Sequence, residues 1–174
     1  FVGPDYGCVV GSNVILRTTN GGDTWTPESP GSTGFLFRAV TGKSREGVWL
    51  AVGIGGVMAR SLDGGIRWEV IRSGGPDLYD VQILPGSGYS YRDTHAIAVG
   101  AGGTILLKRE GSDEWTSVGE RVRWFRSSDL RAVHFVTRLR GYIVGSGGTI
   151  LLTRDGGDRW DQLTIDGSPD FRDI

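Results

Sequence analysis

The stretch GSGGTILLTRDGGDRW, residues 145–160, decides the fold, because three other segments of the chain repeat it. They are GSNVILRTTNGGDTW at 11–25, GIGGVMARSLDGGIRW at 53–68 and GAGGTILLKREGSDEW at 100–115. The tryptophans that end the segments stand at 25, 68, 115 and 160, so successive ones are 43, 47 and 45 residues apart. A period near 45 of short apolar runs and glycine turns is typical of one β-propeller blade, whereas helical repeats would need apolar residues three and four apart.

Each period contains four predicted strands, A to D, of which A and B are expected to be the inner ones. Strand A is predicted at 36–40, 78–83, 130–135 and 171–174, and strand B at 7–10, 48–52, 96–99 and 142–144. Strand C is predicted at 14–17 and at the equivalent residues of the other repeats, and strand D begins at each repeated tryptophan. We therefore predict an all-β fold, a β-propeller of four-stranded antiparallel blades with about four blades present. The repeats cover about 1–30, 35–73, 77–119 and 129–165 of a single domain spanning 1–174.

A second pattern marks each turn between strands C and D: Ser or Thr, any residue, Asp, any residue, Gly, two of any residue, then Trp. A short hydroxyl or carboxylate side chain bonds to backbone amides of its own turn, glycine supplies the tight corner, and the indole packs under the hairpin. The second and fourth repeats match fully and the first nearly, but the third keeps only its tryptophan, so we expect its turn to be the loosest. The predicted structural residues are Thr18, Asn20, Gly22, Trp25, Ser61, Asp63, Gly65, Trp68, Trp115, Thr153, Asp155, Gly157 and Trp160.

This pattern resembles the BNR or Asp-box repeat, which occurs in sialidases, other glycosidases, sorting receptors and assembly factors. The box alone therefore identifies a blade and not a function. The fuller run from Ile143 to Trp160 is more similar to the photosystem II stability and assembly factor family. That resemblance implies a seven-bladed propeller and a non-enzymatic scaffold that binds a protein client through its loops and an arginine patch. It also implies a location in the thylakoid lumen or at the thylakoid.

The chain opens at strand B and ends on strand A, which leaves two geometries open. In one, residues 171–174 pair with the first repeat and close a four-bladed ring. In the other, they begin the next blade of a larger, seven-bladed propeller. We favour the larger propeller, because both ends of the chain stop inside a predicted element.

The starts of strand A supply the candidate client-binding site. The residues that follow the first apolar position of strand A are Arg38, Tyr79, Arg131 and Arg172. Because equivalent positions of successive blades are related by rotation, we expect three arginines to ring one end of the central channel, opposite the Asp boxes. Guanidinium groups hold carboxylates and phosphates through paired hydrogen bonds, so the expected ligand is an acidic segment. The alternative is that each arginine is neutralised by a neighbouring acid, such as Asp80 or Asp173.

The loop between strands A and B is longer in the third repeat, where it spans residues 85–93. Tyr89 and Tyr91 lie in this glycine-rich insertion, and exposed tyrosines suit a protein contact. A tolerated insertion explains the loop equally well. The basic and aromatic segment 121–126 is interpreted as a connection between strands D and A rather than as a nucleic-acid or membrane contact.

Composition narrows the classes of function. A net charge of −1 argues against nucleic-acid binding, and no apolar run approaches the roughly 18 residues of a membrane span. Cys8 is the single cysteine, so neither an internal disulfide nor a cysteine metal cluster is expected. His95 and His134 lack neighbours at metal-ligand spacing, and we predict no cofactor and no metal. The predicted partner is a protein, either a membrane protein complex or an acidic peptide segment.

The rival class is a carbohydrate-processing or carbohydrate-binding propeller, because sialidases share the box. Their chemistry combines carboxylates with a tyrosine nucleophile and an arginine triad that clamps the substrate. Tyr79 with Asp77 and Asp80 offers such groups, but the sequence has no Phe-Arg-Ile-Pro segment, and four blades leave no full triad assignable. We therefore expect a binding protein and not an enzyme.

Overall fold

The computed structural model describes residues 1–29, 34–45, 47–118, 128–163, 165 and 167–174. Within them, the chain forms fifteen short strands and two 3₁₀ turns, at Ile54–Gly56 and Ala101–Gly103. The strands are β1 (Gly7–Gly11), β2 (Val14–Thr18), β3 (Thr26–Glu28), β4 (Phe37–Gly42), β5 (Trp49–Gly53), β6 (Met58–Ser61), β7 (Glu69–Arg72), β8 (Leu78–Ile83), β9 (Ala96–Gly100), β10 (Thr104–Lys108), β11 (Trp115–Ser117), β12 (Leu130–Phe135), β13 (Gly141–Gly145), β14 (Ile150–Thr153) and β15 (Asp161–Leu163).

These strands make four antiparallel meanders, which are the blades. Blade 1 has three strands in the order β1-β2-β3, and blades 2 to 4 have four each, β4 to β7, β8 to β11 and β12 to β15. Strands A, B, C and D of the sequence interpretation correspond to the four strands of each complete blade. The predicted all-β propeller architecture is confirmed.

The second strand of a blade is buried on both of its faces. Every residue of β5 and of β9 is buried, and both strands are rich in alanine, valine and leucine or isoleucine. A strand that alternated apolar and polar residues would leave one face in water. These continuous apolar runs instead allow neighbouring blades to cover the sheet from both sides.

The core lies between blades rather than inside any one of them. Three clusters of buried apolar side chains join blade 1 to 2, blade 2 to 3 and blade 3 to 4. Representative pairs across these three interfaces are Ile15 and Trp68, Leu50 and Leu78, and Leu107 and Phe135. In the described residues no cluster joins blade 4 to blade 1, so the chain forms an open arc, a partial propeller.

The closed four-bladed ring is therefore wrong. Residues 171–174 adopt no strand, and among the strands that the structure describes β1 pairs only with β2. The amide of Phe171 donates instead to Gly145 O at 3.1 Å, which ties this segment to blade 4. Four residues with one such bond do not supply the missing inner strand of blade 1.

Three aspartates fasten blade 3, blade 4 and the segment 171–174 to the blade that precedes each of them. Their Oδ1 atoms accept hydrogen bonds from the backbone amide of a glycine in the turn between the second and third strands of that preceding blade. The glycine has a positive φ, which exposes its amide toward the carboxylate. The pairs are Asp77 with Gly55 (2.8 Å), Asp129 with Gly102 (3.2 Å) and Asp170 with Gly147 (2.9 Å).

The described part of the chain contains no helix with the length and apolar character needed to cross a membrane.

Candidate functional site

The box turn of blade 2 is closed by its own side chains. Ser61 Oγ accepts from the amide of Gly65 at 2.9 Å and donates to Asp63 Oδ1 at 2.9 Å. Asp63 Oδ1 also accepts from the amide of Arg67 at 2.9 Å, and Trp68 Nε1 donates to Gly65 O at 2.9 Å. These hydrogen bonds lower the pKa of Asp63 despite the opposing effect of its burial. The Ser61 hydroxyl, one Asp63 carboxylate oxygen and the Trp68 indole N–H thus each have a partner within the same turn.

Blade 4 repeats this arrangement with threonine in place of serine. Thr153 Oγ1 accepts from the amide of Gly157 at 3.0 Å and donates to Asp155 Oδ1 at 2.9 Å. The indole of Trp160 donates to Gly157 O at 3.0 Å and is 7% exposed. The two full boxes therefore contain the same hydrogen bonds at nearly the same distances.

In blade 1, Thr18 and Asn20 form the corresponding bonds, with Gly22 N donating to Thr18 Oγ1 at 2.9 Å. Trp25 is half-buried and meets the ring of Phe1 edge-on at 6.1 Å. The asparagine therefore substitutes for the aspartate of the box, although the indole lies in a more open environment.

The third box is replaced by a different set of contacts. Lys108, at the position of the serine or threonine, is fully buried and donates through Nζ to Thr94 O at 2.8 Å. Its ammonium group lies 4.4 Å from the centre of the Tyr91 ring, and Trp115 Nε1 donates to Tyr91 OH at 3.0 Å. Burial lowers the pKa of Lys108. The long loop of blade 3 thus supplies the partners that its degenerate box lacks.

This arrangement corrects the expectation for the two loop tyrosines. Tyr91 is only 6% exposed, so the prediction of an exposed contact residue is wrong there, because its ring is enclosed by Lys108, Arg60 and Trp115. Tyr89 is 75% exposed. Only Tyr89 is therefore placed where a partner could reach it.

All four box turns have a glycine at the position that follows the Asp of the box, which the sequence pattern treated as any residue. Each of these glycines has φ between 72° and 80° and donates its amide to a backbone carbonyl of the same blade. The carbonyl lies in the turn between the first two strands in blades 2 to 4, and just before β1 in blade 1. The pattern could have been found, since glycine occupies this position even in the degenerate third repeat. The pairs are Gly21 with Asp5 O (2.9 Å), Gly64 with Gly47 O (3.1 Å), Gly111 with Arg92 O (2.8 Å) and Gly156 with Leu139 O (3.0 Å).

Three of the four candidate client-binding residues occupy β-bulges at the other end of the blades, and Arg172 lies in the segment 171–174, which forms no strand. The pairing register shifts between Phe37 and Ala39 in blade 2, and the same shift recurs in blades 3 and 4. A bulge leaves one residue outside the ladder and re-aims its side chain. The residues at the three shifts are Arg38, Tyr79 and Arg131.

Arg38, Tyr79, Arg131 and Arg172 line one open cavity of ≈ 330 Å³, together with Asp170 and Phe171. The structure therefore brings together all four residues that the repeat alignment selected. We call these four residues the arginine arc.

The arginines of the arc differ in their partners. Arg131 forms an ion pair with Asp129 (Nη2 to Oδ2, 2.8 Å), and its guanidinium carbon lies 4.5 Å from the centre of the Tyr79 ring. Arg38 and Arg172 are exposed, and neither forms a hydrogen bond or ion pair with another described residue. Two guanidinium groups are therefore available to a ligand, and a third is held in place by its neighbours.

Neither Asp80 nor Asp173 forms an ion pair with an arginine of the arc. Asp80 accepts from the amides of Val133 at 2.9 Å and Val81 at 2.8 Å, and burial raises its pKa. Asp173 accepts from the amide of Ile174 at 2.8 Å. Of the arginines in the arc, only Arg131 is therefore neutralised by a neighbouring acid among the described residues. That acid is Asp129, and not Asp80 or Asp173 as the sequence suggested.

Burial raises the pKa of the Tyr79 hydroxyl above its ordinary value, which itself lies well above neutral pH. The hydroxyl can therefore donate to a ligand oxygen. Tyr79 also holds the Arg131 side chain by stacking, and such cation–π contacts contribute about 0.5–1 kcal/mol at exposed sites.

In the ranges that the structure describes, no group of three or more His, Cys, Asp or Glu side chains is placed to hold a metal ion. His134 is exposed on β12, whereas burial lowers the pKa of His95. The segment 121–126 lies outside the described residues.

Solved structures provide a comparison for this geometry. A structure of YCF48 bound to a D1 peptide matches 93% of this chain, with a TM-score of 0.65 and 20% identity. The chain shares the propeller fold of YCF48. YCF48 from Cyanidioschyzon merolae matches 94% of the chain (TM-score 0.64, 18% identity), and an ancestral GH74 enzyme matches 95% (TM-score 0.68, 15% identity). The chain spans 50% and 57% of the two YCF48 chains and 25% of the GH74 chain.

The resemblance predicted from the repeats is thus confirmed at the level of the fold. No protein-family model matches the sequence, and no curated protein sequence matches it. At identities of 15% to 20%, the similarity to YCF48 and to the GH74 enzyme establishes the fold alone.

Proposed function

We propose that the chain is a non-enzymatic scaffold that binds an acidic segment of a protein client through the arginine arc. The observation that carries this proposal is the cavity that gathers Arg38, Tyr79, Arg131 and Arg172, in which two of the guanidinium groups have no partner among the described residues. The function resembles that of a photosystem II assembly or stability factor.

The geometry of the arc suits carboxylate binding. Each guanidinium presents a planar fork of donors that can bind a carboxylate through two parallel hydrogen bonds. Because Arg38 and Arg131 are set by bulges in paired strands, their positions are fixed by the sheet rather than by a flexible loop. Prior orientation of this kind reduces the entropy lost when a peptide binds.

The proposed client is a peptide segment of a membrane protein complex. The YCF48 structure with a bound D1 peptide supports this choice, because it shows that a propeller of the same fold accepts a peptide. If the client is such a complex, the protein acts in or at the thylakoid.

A binding titration tests the proposal. A fluorescent octapeptide of alternating glutamate and alanine is titrated by fluorescence anisotropy, with a glutamine-for-glutamate peptide as the uncharged control. We expect the Arg38→Glu and Arg172→Glu double variant to bind the glutamate peptide at least about 100-fold more weakly, since each reversal removes one charge-assisted contact and adds a repulsive charge. The D1 peptide is titrated in parallel.

The matched control reverses two exposed arginines at the box end, Arg67→Glu and Arg159→Glu. This variant changes the net charge equally but should retain the affinity of the unmodified protein. Equal losses in both double variants would mean that only overall charge matters, and no loss in the first would overturn the role of the arc.

The carbohydrate-processing alternative is less well supported by the acids near the arc. Asp129 is paired with Arg131, while Asp77 accepts a glycine amide of the preceding blade and Asp170 accepts one of blade 4. Glycoside hydrolysis requires two carboxyl groups that are free to act on the substrate. We expect no hydrolysis of a fluorogenic sialoside, and turnover that is lost in Tyr79→Phe would favour the enzyme.

A further inference from the structure

Exposed apolar side chains are concentrated at the box end of the propeller. In the described residues, nine large apolar side chains are exposed, and four of them lie at the termini or beside the unpaired edge of blade 1: Phe1, Val9, Leu36 and Ile174. The other five stand on turns at the box end: Leu62, Ile66, Tyr89, Val136 and Leu139. The open edges of the partial propeller explain why the first group is exposed. They do not explain why the second group is exposed.

The turns between the first and second strands of blades 2 to 4 are also basic. In sequence these turns carry five basic side chains and two acidic ones, Glu46 and Asp93, although the net charge of the whole chain is −1. Asp93 already accepts from Ser90 Oγ at 2.7 Å, and only one of the basic side chains, Arg138, has an ion pair with a described residue, Glu110. The basic side chains are Lys43, Arg45, Arg92, Arg138 and Arg140.

These turns form one continuous surface near the propeller axis. Lys43 Nζ of blade 2 lies 5.7 Å from the centre of the Tyr89 ring of blade 3. Arg138 Cδ of blade 4 lies 4.0 Å from the place a Cβ would take on Gly86, in the loop that carries Tyr89. All five residues from 136 to 140 are exposed. We call the surface made by Lys43, Tyr89, Arg92, Val136, Leu139 and Arg140 the inner-turn surface.

We propose that the inner-turn surface docks on an anionic lipid bilayer. Tyr89, Val136 and Leu139 enter the boundary between headgroups and acyl chains, and the basic side chains of the same turns contact lipid phosphates. This proposal is independent of the client-binding role of the arginine arc.

Three features favour a bilayer over an acidic protein as the occupant. The apolar side chains stand singly on turn tips with basic residues between them, which is the pattern of proteins that insert shallowly into a membrane surface. Tyrosine is enriched at the headgroup level of membranes. Turns at one end of a propeller also point in the same direction, so a flat surface can meet several of them at once.

The box turns, which lie farther from the propeller axis, limit the contact with the bilayer to the inner-turn surface. The box turn of blade 3 carries exposed Asp113 and Glu114, which an anionic surface would repel. Docking through the inner-turn surface leaves the arginine arc at the opposite end, facing away from the bilayer and accessible to a client.

Co-sedimentation with vesicles tests this inference. The probes are vesicles of phosphatidylcholine and phosphatidylglycerol, mixed about 7 to 3, and vesicles of phosphatidylcholine alone. We expect binding to the mixed vesicles that weakens with salt, and a loss of about tenfold or more in Tyr89→Ser with Leu139→Ser and in Lys43→Gln with Arg140→Gln. All four side chains stand on turns outside the buried clusters, so these variants should keep the thermal unfolding midpoint.

The control variant is Arg38→Gln with Arg172→Gln, which changes the same number of side chains at the opposite end. It should bind the mixed vesicles like the unmodified protein and lose only the acidic peptide. Absence of sedimentation with mixed vesicles overturns the inference and leaves an acidic protein surface as the partner. Equal loss in the control variant overturns it as well, because the contact would then not be specific to the inner-turn surface.

Discussion

The box turns and the arginine arc are built from the same repeat but use their side chains in opposite ways. In the box turn of blade 2, Ser61, Asp63 and Trp68 all bond within the turn. In the arc, a bulge places Arg38 outside the ladder, and the structure gives its guanidinium no partner among the described residues. The same repeat therefore forms stabilising hydrogen bonds at one end of the blades and leaves guanidinium groups unpaired at the other. Substitutions at the two ends should therefore change different measurements.

The largest effect is expected from the indole of a full box. Trp160→Ala should lower the free energy of unfolding by about 3–5 kcal/mol, because it removes a large buried ring that also meets Phe135 edge-on at 6.0 Å. Urea denaturation followed by circular dichroism measures this change. The matched substitution Trp25→Ala, at a half-buried indole, should cost clearly less, and an equal cost would contradict the difference between the boxes.

At the arc, the expected loss is in binding and not in stability. Arg38→Gln with Arg172→Gln should weaken glutamate-peptide binding at least about tenfold, which corresponds to roughly 1.4 kcal/mol. The free energy of unfolding should stay within about 0.5 kcal/mol of the original, since both side chains are exposed and unpaired. A large loss of stability would show that the arc also holds the fold together.

A smaller effect is expected from the box hydroxyl. Thr153→Ala should cost about 1 kcal/mol, because the amide of Gly157 loses its acceptor while the backbone remains in place. Thr153→Ser keeps the oxygen and serves as the control in the same denaturation experiment. If serine and alanine cost the same, the stabilising contribution comes from the threonine methyl group and not from the hydrogen bond.

The smallest effect concerns Gly111, the glycine that the degenerate third box retains in addition to its tryptophan. Gly111→Ala should cost about 1 kcal/mol or slightly less, because φ is +80° there although no atom lies within 4 Å of the added methyl group. Ser112→Ala, one residue along the same turn, removes the acceptor of the Glu114 amide (3.1 Å) but should cost less, because that hydrogen bond is exposed and water can replace it. A Gly111→Ala protein as stable as the original would show that this turn is looser than the other three, as its sequence predicts.

The fold and the arc were predictable because both follow from aligning the repeats. The period of the tryptophans gave the blades, and equivalent positions in strand A placed Arg38, Tyr79 and Arg131 at one end. The aspartates that fasten the blades could also have been read from the alignment, since Asp77 and Asp129 both precede strand A. The β-bulges at Arg38, Tyr79 and Arg131, in contrast, could not have been predicted from the sequence.

The interior of blade 3 was not predictable in the same way. Lys108 and Tyr91 deviate from the repeat, so alignment offered no template for them, and an isolated lysine and tyrosine are usually exposed. Their burial depends on a loop carbonyl, Thr94 O, and on Trp115, which lies 24 residues from Tyr91 in sequence. Contacts made by exceptions to a repeat are fixed by tertiary packing, which the period does not describe.

Photo-crosslinking reports where an acidic ligand lies on the protein and so distinguishes the two ends of the blades. A glutamate octapeptide with a benzophenone at its centre is irradiated with the protein, and the modified residues are identified by mass spectrometry. We predict crosslinks at the arginine arc, around residues 38, 79, 131 and 172, that the unlabelled peptide competes away. Competed crosslinks at the box turns, with none at the arc, would contradict the division of the blades into a stabilising end and a binding end.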